Sequence, residues 1–221
     1  TFMVKSEWKR RSLLGIQELS SDEIELLLDT AKQFKKFKSN SKIAPANLKG
    51  KRVVNLFLVP STRTRVAFEV AAKSLEADVI SISEKSSSLT KGESLRDTAS
   101  NIEALGADAI VLRHSSPGSP LFLSELIKVP IINAGDGTHE HPTQALLDAL
   151  TIINRKGKIE GLKIAICGDI LHSRVARSNI YLMNMLGAEV NVIAPKTLMP
   201  KSIERLGAKP FTNMKKGLDG C

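Results

Sequence analysis

The sequence predicts an α/β protein of two domains, each a parallel sheet flanked by helices, with the second incomplete in this chain. Three observations carry that expectation. Short apolar, β-branched runs alternate with segments of helical period from residue 53 onward. Glycine-rich or polar turns separate them. The alternation then starts afresh after Gly157. Strands that alternate with helices pair in parallel, because each crossover returns the chain to the end of the sheet where the previous strand began.

The elements follow in order. Ser20-Ser21-Asp22-Glu23 has the capping-box pattern, and Ile24, Leu27, Leu28, Ala31 and Phe34 recur behind it at helical spacing. Residues 39–50 read as a loop. Residues 53–59 form an apolar run that reads as a buried strand. A helix is expected over 66–75, with Ala67, Val70, Ala71 and Leu75 on one face. Residues 79–82 read as a strand, 84–93 as a polar loop, 94–105 as a helix, and 109–112 and 131–133 as strands. Pro142 suits the first position of a helix running to 153. Beyond Gly157, strands are expected at 162–167 and 189–194, with a helix over 174–186 between them. The domains are therefore set at 1–141 and 156–221, joined by a helix at 142–155. The second alternation offers two strands and part of a further helix, which predicts either a very small domain or a fragment.

Composition excludes several function classes. No apolar run approaches the ~20 residues of a membrane span, and the N-terminus has no apolar signal-peptide core. Cys167 and Cys221 make no disulfide framework, so a reducing, cytoplasmic setting is expected. Cys167 reads as a buried core thiol. The 32 Lys and Arg against 23 Asp and Glu give a net charge of +9, which invites a nucleic-acid reading. The basic residues are scattered, however, and aromatics are only 4%, which leaves few platforms for base stacking. A receiver of small anions fits the same charge.

Four features lie at the carboxyl ends of predicted strands, where open α/β sheets bind ligands. Ser61-Thr62-Arg63-Thr64-Arg65 places three hydroxyls and two guanidinium groups between a strand end and a helix start. Helix-start N–H groups, hydroxyls and arginine together make a phosphate cradle; the plain alternative is an ordinary helix cap with surface arginines. Arg113-His114 follows another strand, and Arg113 alone reads equally as a solvated residue. In Gly135-Asp136-Gly137-Thr138-His139-Glu140-His141-Pro142-Thr143-Gln144, His141 sits where a helix N-terminus favours a neutral imidazole. It reads also as a structural cap, and His139 with His141 as metal ligands, although no further Cys or His cluster completes a tetrahedral set. Gly168-Asp169 with His172-Ser173-Arg174 is the fourth; it lacks the G-x-G-x-x-G spacing of a dinucleotide site. The arginine there is an anion clamp or a plain helix-start residue. No Walker pattern and no G-x-S-x-G elbow occurs. This is an anion-gripping cleft suited to direct transfer between two bound anions, by positioning and electrostatic stabilisation.

These motifs, in this order across nearly the whole chain, resemble the aspartate/ornithine transcarbamoylases. Ser61 to Arg65 resembles the family's carbamoyl-phosphate signature. His141-Pro142-Thr143-Gln144, with Ala145-Leu146-Leu147-Asp148 behind it, is similar to the second motif in its aspartate form. Ser88 to Glu93 is similar to the mobile loop, and Gly168-Asp169 with His172-Ser173-Arg174 to the aspartate-side loop. The resemblance implies that Ser61, Thr62, Arg63 and Thr64 hold the phosphate of carbamoyl phosphate. Arg113, His141 and Thr64 would polarise its carbonyl oxygen, and Gln144 would contact the carbamoyl amino group. Arg174 would bind a carboxylate of L-aspartate. Ser88 and Lys91 would reach a neighbouring subunit's site in a homotrimer. No metal or organic cofactor, nucleic acid or membrane is expected in this chemistry. The loop around Lys91 is about one residue shorter than in some members, and the family's later aspartate-binding arginine lies beyond Cys221. The rival expectations are an ornithine or other transcarbamoylase, and a non-catalytic module that binds anions or nucleic acid.

Overall fold

The computed structural model describes residues 8–39, 48–83 and 93–221, with the side chains of 37–39 left aside. Its contacts form two compact units. One takes Lys9–Leu14 and Gln33–Gly137, the other Gly15–Lys32 and Thr138–Cys221. Helix α1 (Ser21–Ser39) begins with the expected capping box: Ser20 N donates to Glu23 Oε2 at 2.8 Å, and Glu23 N donates to Ser20 Oγ at 3.2 Å.

The first unit is built on four parallel strands, β1 (Arg52–Phe57), β2 (Asp78–Ser83), β3 (Ala109–His114) and β4 (Ile131–Asp136), in the order β2-β1-β3-β4. Side chains alternate across a strand, so β1 feeds two cores. Val54 and Leu56 pack with Ile110, Leu112, Ile102 and Leu123. Val53 and Phe57 pack with Val111, Ala134 and Ala72. A strand buried on both faces is largely apolar, here interrupted only by Asn55 between Val53 and Phe57, which is why the run was legible. Leu13 extends the sheet beyond β4: its N–H donates to Ile131 O, and its carbonyl accepts from Asn133 N, both at 2.9 Å.

Helices α2 (Thr62–Ser74), α3 (Leu95–Ala104) and α4 (Ser119–Leu126) complete this unit. The start of α2 corrects the expected start at residue 66, since four residues of the hydroxyl-arginine stretch are helical. The apolar period begins later than the helix because its first turn carries hydroxyl and guanidinium side chains in place of core ones. Ala67, Val70 and Ala71 are exposed, whereas Phe68 and Ala72 pack on the sheet. Helix α4 has no counterpart in the sequence reading. Pro120 and the serines at its ends break the period that would have announced it.

The second unit holds β5 (Lys163–Cys167), β6 (Glu189–Ile193) and β7 (Ala208–Phe211), all parallel and in that order. It also holds α5 (Pro142–Lys156), α6 (Arg174–Met185) and the short α7 (Met214–Leu218). The third strand corrects the expectation of two. β7 was hidden because Ala-Lys-Pro-Phe is short and contains a proline, which an edge strand tolerates. Cys167 is exposed, which corrects its reading as a core thiol. It closes an edge strand whose residues are only partly covered, while β6 in the centre is buried from Val190 to Ile193. Among the described residues, no helix is long and apolar enough to cross a membrane.

Candidate functional site

The site residues are best built from the helix starts. Each leaves backbone N–H groups without intrahelical partners, and most helices here satisfy some of them internally. Ser94 Oγ accepts from Asp97 N at 3.1 Å to cap α3. Ser173 Oγ accepts from Ala176 N at 3.0 Å to cap α6. Helix α2 does neither. Ser61 stands at its N-cap in extended backbone, yet its side chain makes no capping bond, and the first turn contains no acid. Thr62 and Arg63 are exposed and Ser61 and Thr64 half-buried, so the stretch forms an open, positively polarised helix end at the carboxyl end of β1. Arg65 turns aside toward Glu69, at 3.6 Å, one turn along the helix.

In the same unit, β3 and β4 end irregularly. Leu112 pairs with Asn133, but His114 pairs with Asp136, so β4 holds one extra residue. Such a bulge re-aims side chains at a strand end. Arg113, half-buried and within β3, donates from Nη1 to Ala134 O at 3.0 Å. Asp136, almost fully buried, accepts from Asn133 Nδ2 at 2.9 Å and from Gly118 N at 2.6 Å. His114 Nδ1 accepts from Ser116 N at 2.9 Å, which leaves the ring proton of a neutral imidazole on Nε2. Burial pushes the His114 pKa below its ordinary value, against the opposing pull of the Ser116 bond and the Asp136 charge. Gly137 passes so close to Pro117 and Ser115 that a Cβ would lie 2.5 Å from Pro117 Cδ, at a φ of +49°.

In the other unit, His141 is the N-cap of α5, with Pro142 at the first helical position. It is buried, and a relay of hydrogen bonds fixes its backbone. His141 N donates to Ser178 Oγ at 2.8 Å. Ser178 Oγ in turn donates to Glu140 Oε2 at 2.7 Å. The same carboxylate accepts from Ile16 N at 2.8 Å and Gln17 N at 3.2 Å. Gly15 must stay without a side chain, because a Cβ would stand 2.5 Å from Glu140 Oε1. Thr143 Oγ1 lies 3.5 Å from His141 Nδ1.

Gln144, one turn into α5, commits its amide nitrogen to Asp148 Oδ1 at 3.0 Å. Asn179 Nδ2 holds the other oxygen of Asp148 at 2.8 Å. Oε1 is the acceptor that Gln144 keeps for a further donor. Arg174 is half-buried and opens α6. Ahead of it, Asp169 and His172 pair at 2.9 Å, and this bond is the main cause that holds the Asp169 carboxyl below its usual range. Ser88 and Lys91 lie outside the described residues. Among the described residues, no group of three or more His, Cys, Asp or Glu side chains is placed to hold a metal ion.

Sequence reasoning missed the supporting residues. Glu140 stood in view between two histidines, but its partners Ile16 and Gln17 are more than 120 positions away. Ser178 looked like an ordinary helix residue, and Asp148 was read only as part of the motif behind His141, not as the partner of Gln144 and Asn179.

Known proteins of one family are similar to this chain. Residues 11–154 match the carbamoyl-phosphate binding domain of aspartate/ornithine carbamoyltransferase. The aspartate carbamoyltransferase catalytic subunit of Pelagibacter ubique is 56% identical over 212 residues, which are 96% of this chain and 68% of that protein. That of Moorella thermoacetica is 52% identical over 96% of this chain and 69% of its own length. The catalytic subunit of M. jannaschii aspartate transcarbamoylase superposes with a TM-score of 0.85 at 37% identity, over 96% of this chain and 71% of that one. The Trypanosoma cruzi enzyme in complex with N-(phosphonacetyl)-L-aspartic acid gives 0.82 at 30% identity, over 90% of this chain and 67% of that one. With the family's domain matched over most of the chain and relatives above half identity, this chain belongs to the aspartate/ornithine carbamoyltransferase family.

Proposed function

We propose that the chain transfers the carbamoyl group of carbamoyl phosphate to the amine of L-aspartate, giving N-carbamoyl-L-aspartate and phosphate. The observation that carries this reading is the start of α2, a Ser-Thr-Arg-Thr helix end without an internal acceptor, in a family whose matched domain binds carbamoyl phosphate. Ser61, Thr62, Arg63 and Thr64 take the phosphate through hydroxyls, guanidinium and backbone N–H groups. Thr64, Arg113 and His141 donate to the carbonyl oxygen, where negative charge develops as the neutral amine attacks. Gln144 Oε1 accepts from the carbamoyl amino group, an assignment supported by its amide nitrogen being held by Asp148. Arg174 grips an aspartate carboxylate. In the step itself the C–N bond forms and a tetrahedral intermediate results. The C–O bond to phosphate then breaks with its electron pair, and the amine proton passes to phosphate or solvent.

We assign the active assembly as a homotrimer in the cytoplasm, with Ser88 and Lys91 completing a neighbour's site. Apolar side chains on α2 and β2 support a subunit contact there: Val66, Val70 and Ile80 are 44, 53 and 42% exposed. Substrate choice is tested by supplying carbamoyl phosphate with aspartate and then with ornithine. Product from aspartate alone is expected. Turnover with ornithine alone would reject the amine assignment. Salt-sensitive nucleic-acid binding that carbamoyl phosphate leaves unchanged, without turnover, would reject an enzyme altogether.

A further inference from the structure

The second unit contains a cavity of about 420 Å³ that the reaction above does not use. Three cationic side chains line it, Arg177 from α6 with Lys201 and Arg205 from the segment after β6. Among the described residues, no aspartate or glutamate lines it. Its apolar walls include Ile170, Ile180, Ile203 and Leu206, and Ser202 adds a hydroxyl. Arg174 is not among its lining residues.

Two further observations bear on an occupant. Arg177 Nε is enclosed and has no hydrogen-bond partner among the described residues. A buried guanidinium N–H without an acceptor is destabilising, and an anionic oxygen relieves it. The guanidinium is also steered by Tyr181, 5.8 Å from the ring centre. Ser202 sits at φ 60°, a left-handed backbone that a non-glycine residue adopts at a cost, and such strain gathers at ligand sites.

We infer that this cavity binds a small organic anion, a phosphate monoester with a compact apolar body, whose phosphate meets Arg177, Lys201 and Arg205. Three cations suit a dianion, and the isoleucine and leucine walls suit its hydrocarbon part. Ile170, Leu171 and Ser173 also line the cavity and belong to the loop that leads into Arg174. An occupant therefore rests against that loop.

The test is calorimetric titration of phenyl phosphate into the full-length protein already saturated with N-(phosphonacetyl)-L-aspartate. Titration of that analogue by itself reports separately on the proposed catalytic site. One phenyl phosphate per chain is expected to bind with the analogue in place. Arg177→Met and, at an exposed position, Arg205→Ala should each weaken it at least about tenfold, with affinity for the analogue unchanged. No saturable binding to the analogue-loaded protein, or equal affinity in both variants, would overturn the proposal.

Discussion

Helices α2 and α3 lie in the same unit and begin alike in sequence, each with a serine at the N-cap. They differ at the third helical position. In α3 this is Asp97, whose backbone N–H reaches Ser94 Oγ and whose carboxylate accepts from the same hydroxyl at 2.6 Å. In α2 it is Thr64, and Ser61 makes no cap. The contrast teaches that a helix start can be spent on stability or held open for an anion. The residue three places in contributes to the choice but does not settle it alone, since Ser173 caps α6 with Ala176 in that place. An acid there closes the helix end on itself and repels phosphate, whereas a hydroxyl leaves its N–H groups and positive potential outward.

The largest test of this contrast is Arg63→Ala. It should lower kcat/KM for carbamoyl phosphate by about 10²-fold or more, with stability unchanged within about 0.5 kcal/mol because the side chain is exposed. Steady-state kinetics and thermal melting check it, and full activity would remove Arg63 from the site. Next is Ser178→Ala, which strips Glu140 and His141 N of their shared hydroxyl. A loss of about 2 kcal/mol is expected in denaturant unfolding; a wild-type midpoint would mean the relay is not stabilising. Third, Ser94→Ala should cost about 1 kcal/mol, whereas Ser61→Ala should cost only a few tenths while weakening phosphate binding. Equal stability losses in the two would break the comparison. The smallest effect concerns pH. His114 has a folded pKa below its ordinary 6.5, so the unfolded chain binds the proton more readily. The stability it contributes is present above that value and is lost as pH falls toward the folded pKa. His114→Gln should flatten that part of the stability profile, read by urea titrations across the range.

Much of this was legible beforehand. β1 and β3 of the first sheet announced themselves because burial on both faces keeps them largely apolar. The stretch from Ser61 to Arg65 reads as a phosphate cradle because its chemistry is local, and the structure gives it an uncapped helix start. Its helical state was not legible, since hydroxyl and guanidinium side chains in a first turn carry no apolar period. β7 was lost for a similar reason, with Lys209 and Pro210 outweighing two apolar residues. The support behind His141 could not be read at all. A buried carboxylate looks the same in sequence whether it meets a ligand or the backbone of Ile16, and only the fold brings those atoms together.

The bridge between Leu13 and β4 also has a temporal side. The segment around Leu13 leaves the ribosome before its hydrogen-bonding partners Ile131 and Asn133, which follow more than a hundred residues later. At ordinary elongation speeds of ~5–20 residues per second, that interval is several seconds at least. Throughout it Leu13 and Leu14 have no strand to join. This unit therefore closes only once β4 has been made, as non-local pairing in a parallel sheet requires, and a nascent chain halted before β4 would present Leu13 and Leu14 to chaperones.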